Sequence, residues 1–164
     1  MPLAFFPQAA GHAGIAQTLR KMASLAQSAK LDPIIRDQAE LATGGCFKGA
    51  KDCQCYSLLL WVSRTVRYVG DPTGVELLHD PRLIAHGIAD KKRVYGDCDD
   101  MSMYLAALAL SIGLQPTFRA VGYNGRPFQH VYVVCCGLKM DATRDAWDRY
   151  SGKQAETSVM EQRV

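Results

Sequence analysis

The chain has 164 residues, 48% hydrophobic and 21% charged, which excludes disorder, collagen and a pure coiled coil and suits one domain-sized core. Its 19 Lys and Arg against 16 Asp and Glu leave a net charge of +3. The densest basic run, Lys91-Lys92-Arg93, follows an acid, Asp90, so no nucleic-acid footprint is expected.

The apolar opening from Met1 to Pro7 has no basic flank and is cut short by Pro7. It does not read as an export signal, and a cytoplasmic location is expected. No run of about 18 apolar residues occurs, so no membrane span is expected either. From Gly11 to Lys30, Ile15, Leu19, Met22, Leu25 and Ala26 recur at helical spacing. Asp32-Pro33 supplies an N-cap and the residue favoured at the first helical position, so a second helix runs from Pro33 to Thr43 before Gly44-Gly45. Cys46 to Cys55 reads as a loop. A third helix, Tyr56 to Val69, carries a wide apolar stripe and ends at Gly70 to Gly74. Asp80-Pro81 opens a short helix that stops near Gly87.

From Cys98 to Ile112 the chain is Met, Leu, Ala and Tyr with acids only at its start, and Gly113 stops it. This is a buried central helix. Beyond Pro116 the period becomes two: Thr117 to Val121, Gln129 to Val134 and Leu138 to Ala142 read as three antiparallel strands, the last pair joined through Cys136-Gly137. After Thr143 the pattern is lost, and a peripheral, frayed end is expected. The expected organisation is an N-terminal helical extension over 1–31, a main domain over 32–145 and a polar tail over 146–164.

Six cysteines occur: Cys46, Cys53, Cys55, Cys98, Cys135 and Cys136. Reduced thiols are expected at this chain size, with a Cys46–Cys53 loop disulfide and a zinc site on Cys46, Cys53 and Cys55 as alternatives. Strand alternation would send Cys135 and Cys136 to opposite faces of the sheet. His12, His79 and His86 read as surface or cap residues. Trp61 and Tyr68 read as core.

Cys98 is the residue on which chemistry converges. A thiol in the first turn of a helix capped by Asp97 meets unpaired backbone N–H groups that favour a thiolate, while Asp99 and Asp100 oppose it. His130 heads a strand. If Cys136-Gly137 is a two-residue turn, Tyr132 opposes Asp141, which makes Asp141 the diagonal neighbour of His130 on one face. Cys98, His130 and Asp141 then supply nucleophile, base and orienting acid, and the Cys98 backbone N–H an oxyanion donor. The side-chain oxyanion donor stays open, with Tyr95 and Trp61 as candidates by position.

Tyr95-Gly96-Asp97-Cys98-Asp99-Asp100, then Gln129-His130-Val131-Tyr132-Val133, then Met140-Asp141-Ala142-Thr143 resemble the transglutaminase-like cysteine-hydrolase superfamily. Trp61-Val62 and Val66 to Pro72 resemble the segment before the nucleophile in its bacterial and bacteriophage members, and the likeness covers about Pro33 to Thr143. It implies an α+β, papain-like fold, helices with a central buried helix packed on a small antiparallel sheet. It also implies amide chemistry through a Cys98–His130–Asp141 triad and a thioester, and no cofactor or metal. The hairpin before Asp141 is shorter than the family's, and no aromatic precedes Asp141. The substrate expected is a peptide, protein or peptidoglycan amide, cleaved or transferred to an amine. The alternative is a non-catalytic structural or adaptor protein of a phage virion or tail, with phage structural proteins as partners.

Overall fold

The computed structural model describes residues 3–6, 9–72, 76–143 and 155–164. Helices dominate its first two-thirds: α1 (Gly11–Ala29), α2 (Pro33–Thr43), α3 (Lys51–Thr65), α4 (Pro81–Ala89) and α5 (Cys98–Ser111). Two short strand pairs lie among them, β1 (Leu3–Ala4) with β3 (Leu77–Leu78), antiparallel, and β2 (Val66–Tyr68) with β4 (Val94–Gly96), parallel. After α5 come β5 (Thr117–Tyr123), β6 (His130–Cys135), β7 (Leu138–Met140) and β8 (Glu156–Arg163), an antiparallel sheet in the order β7-β6-β5-β8. The class is α+β.

Every residue of α5 from Asp100 to Leu110 is buried. A helix apolar on all sides needs neighbours on all sides, and α5 packs against the other four helices and against β6. The Asp-Pro signals work as expected. Asp32 accepts a hydrogen bond from the Ile34 N–H at 2.9 Å, and Asp80 accepts one from the Arg82 N–H at 2.9 Å, so α2 and α4 start with satisfied first turns. A buried chain of side chains then ties the helices together. Trp61 Nε1 donates to the Tyr104 hydroxyl at 3.0 Å, Tyr104 donates to Gln38 Oε1 at 2.6 Å, and Gln38 Nε2 donates to the Ala85 carbonyl at 2.8 Å. Among the described residues, no helix is long and apolar enough to cross a membrane.

Four expectations are corrected. The third helix is displaced: α3 starts at Lys51, with Asp52 in its first turn, and ends at Thr65 because Val66 to Tyr68 extend alongside β4. Cys53 and Cys55 therefore sit on a helix. Cys46 and Cys53 form a disulfide, with sulfurs 2.02 Å apart and Cα atoms 5.8 Å apart. It replaces the fully reduced state and removes two of the three ligands of the zinc alternative. Residues 156–163 are a paired strand, with Thr117 opposite Arg163 and Tyr123 opposite Glu156. Arg119 Nε donates to Glu161 at 2.8 Å and the Tyr132 hydroxyl to Glu156 at 2.8 Å across that edge. The expected 145/146 boundary falls outside the described residues.

The fourth correction concerns the turn between β6 and β7. It has two residues, as the parity argument required: Cys135 faces Leu138 and Val133 faces Met140. Cys136 and Gly137 have φ of 53° and 77°, the left-handed pair that matches strand twist in a tight hairpin. That backbone swings the Cys136 side chain off the strand alternation, and its sulfur lies 3.9 Å from that of Cys135. The two thiols point to one side, not to opposite faces.

Candidate active site

The N-terminus of α5 is built by Asp97, whose carboxylate accepts from the N–H groups of Asp99 at 3.0 Å and Asp100 at 3.2 Å. Asp100 returns the contact, accepting from the Asp97 N–H at 3.4 Å, a reciprocal capping box. Gly96 makes room for this. A Cβ there would stand 2.7 Å from the Asp100 Cβ, closer than two carbons tolerate, so any larger residue displaces the cap. Cys98 is the first residue of the helix, half-buried.

His130 opens β6 opposite Val121 and is buried. Its Nε2 lies 2.7 Å from Asp141 Oδ2. The other oxygen of Asp141 accepts from the Thr143 hydroxyl at 2.8 Å and the Thr143 N–H at 3.2 Å. A carboxylate held by that many donors fixes the ring it faces. Ser102 donates to the Val131 carbonyl at 3.3 Å and so pins α5 to β6. The Val131 N–H donates toward the Cys98 sulfur.

Cys98 and His130 share the wall of one cavity of about 220 Å³, together with Asp97, Asp99, Glu76 and Gln129. Ile15, Thr18, Leu19 and Met22 of α1 also line it. Tyr95 and Trp61 do not line it. Trp61 is committed to Tyr104, and Tyr95 is exposed on β4. Besides Cys98 and His130, side-chain donors that border the cavity are Gln129 and Thr18.

Electrostatically the site is acidic. Burial, then the Asp99 and Asp97 carboxylates, push the Cys98 thiol well above its ordinary value, and the Val131 N–H pulls weakly the other way. The resting sulfur is therefore protonated near neutrality. Burial and the nearby Asp100 raise Asp97 to about 7. Burial and a carboxyl–carboxyl hydrogen bond with Glu76 raise Asp99 well above the usual range. The opposition expected from Asp99 is present, second to burial among the causes that raise the thiol.

Sequence reasoning missed His79. It is no simple surface residue: its N–H and Nδ1 lie 2.7 and 2.6 Å from the two oxygens of Asp100, and that hydrogen bond raises the imidazole above its usual value. The pair anchors the α5 cap from the loop before α4. The Asp80-Pro81 signal beside His79 marks the next helix and conceals this role. His86, by contrast, is half-exposed against Asp32 at 2.9 Å, and His12 is exposed.

No protein-family model matches the chain. No curated protein matches it. The chain is similar to a solved structure from Cytophaga hutchinsonii, provisionally described as a cysteine protease, with a TM-score of 0.45 at 15% identity over 79% of this chain and 50% of that one. It spans half the length of that structure.

Proposed function

We propose that the chain is a thiol-dependent amide hydrolase or acyl transferase in which Cys98 is the nucleophile, His130 the base and Asp141 the residue that orients it. One observation carries this reading: His130, paired with Asp141 at 2.7 Å, lines the cavity that also holds the first residue of a buried helix, a cysteine. Asp141 takes Nε2, so Nδ1 is the nitrogen that serves the sulfur. The thiol proton passes to His130 as sulfur attacks the substrate carbonyl. The Cys98 backbone N–H donates to the oxyanion. The imidazolium returns the proton to the leaving amine, a thioester remains, and His130 then activates water or an acceptor amine to release the acyl group. Because the resting sulfur is neutral, base and nucleophile act in one step rather than as a preformed ion pair.

The test is amide turnover, assayed as casein cleavage and as dansylated-amine incorporation into casein. Cys98→Ala is expected to abolish it and His130→Ala to lower it by about 100-fold or more, both with unchanged circular dichroism. Equal turnover in Cys98→Ala would remove sulfur from the mechanism.

A second reading is a non-catalytic structural or adaptor role. The observation in its favour is the set of four α1 side chains that line the cavity beside a thiol flanked by acids. In that case Cys98 reacts with iodoacetamide at the same rate whether His130 is present or replaced by Ala. In the catalytic reading the replacement slows it.

A further inference from the structure

Cys55, Cys135 and Cys136 come from three places, the second turn of α3, the end of β6 and the left-handed turn after it. Their sulfurs all lie within 4.8 Å of one another. They are unbonded, in contrast to Cys46 and Cys53. Nothing in the proposed amide chemistry uses them. Cys55 and Cys135 are buried and Cys136 is exposed, so the group has a sealed floor and an open mouth. The Cys55 sulfur also faces the Cys135 carbonyl at 3.9 Å.

We propose that these three thiols form a binding site for a single thiophilic d10 metal ion of the Cu(I) type, held in three-coordinate sulfur. Metal–thiolate bonds of about 2.3 Å place three sulfurs around a central ion roughly 4 Å apart. The Cys135–Cys136 separation of 3.9 Å already matches. The remaining separations reach at most 4.8 Å, so Cys55 closes the triangle with a shift of less than a methyl radius. Soft thiolates select soft ions. Among the described residues no His, Asp or Glu joins the group, so the donor set is complete for a three-coordinate ion and one short for tetrahedral zinc. The Gln115 and Cys136 backbone N–H groups point at the Cys135 sulfur. These are the outer contacts that a thiolate site needs. Binding forms three sulfur–metal bonds and releases the three thiol protons to solvent.

The left-handed backbone at Cys136 is what assembles the site. In an ordinary strand the neighbouring thiols would face apart, and no common ion could bridge them.

The test titrates the full chain, under argon, with Cu(I) supplied as its bicinchoninate complex. Wild type and Cys98→Ala are expected to withdraw one equivalent each. Cys136→Ser, at an exposed position where folding is not at risk, should bind more than about 100-fold more weakly, beyond what loss of a supporting contact costs. Cys135→Ser should behave alike. Uptake undiminished in Cys136→Ser, uptake lost in Cys98→Ala, tighter binding of Zn(II) than of Cu(I), or an intact mass showing a second disulfide would each overturn the assignment.

Discussion

At the scale of single residues, the reactivity of Cys98 is set by burial and nearby carboxylates on one side and backbone donors on the other. The N-terminal amides of α5 and the Val131 N–H favour a thiolate, and burial with Asp99 and Asp97 opposes it. Burial is the largest of these and Asp99 the next, so removing that carboxylate should show. In Asp99→Asn the midpoint of iodoacetamide labelling of Cys98 against pH is expected to move to lower pH, read by peptide mapping. A midpoint that stays put would mean that Asp99 has no hold on the sulfur. Much of this neighbourhood was legible beforehand. The cap at Asp97, the opposing acids and the diagonal approach of His130 to Asp141 all follow from spacing once the turn at Cys136-Gly137 has two residues. The His79–Asp100 bond was not legible, since it joins residues 21 apart in sequence through a loop whose course no periodicity encodes.

At the scale of elements, helices α2, α3, α4 and α5 are joined through the Trp61, Tyr104, Gln38 and Ala85 contacts. Tyr104→Phe keeps the ring but leaves the Gln38 oxygen and the Trp61 N–H without their partner in the core. Such loss is expected to cost about 2 kcal/mol, measured as a lower urea midpoint with an unchanged slope. A cost near zero would show that water replaces the hydroxyl. Periodicity found the helices with a broad apolar face and missed β1 to β4 and β8, two of them for different reasons. Val66 to Tyr68 continue the apolar run of α3, so nothing in the pattern marks where helix becomes strand. Glu156 to Arg163 alternates half-exposed with exposed side chains, so neither face carries the apolar signal that reveals a strand, and pairing with β5 alone reveals it. Helix start signals were the more dependable guide because an Asp-Pro pair acts through local hydrogen bonds, independent of what packs later.

At the scale of the molecule, two groups of titrating residues pull stability in opposite directions. Asp97, raised to about 7, binds its proton more tightly folded than unfolded. Stability from that proton fades as pH climbs from about 4 to about 7. Burial raises Asp99 in the same direction. The Asp100 bond raises His79, whose contribution is lost as pH rises beyond the ordinary imidazole value. On the outer surface His86 and Arg82 hold Asp32 and Asp80 below the usual carboxylate value despite burial, and that stability is lost as pH falls below about 4. The melting temperature is therefore expected to peak on the acid side of neutrality. Asp97→Asn, which keeps an N-cap oxygen, should flatten the decline toward pH 7. A wild-type maximum at pH 8 or above would refute the account.

The Cys98 sulfur rides on α5, whereas His130 belongs to the sheet and Asp141 follows its strand β7, and Ser102 with the Val131 carbonyl is one pin between the two layers. Alkylation of that sulfur is consequently a gauge of interlayer alignment. Hydrostatic pressure or sub-denaturing guanidine that slides the helix along the sheet would register in labelling kinetics while ellipticity still reads as native.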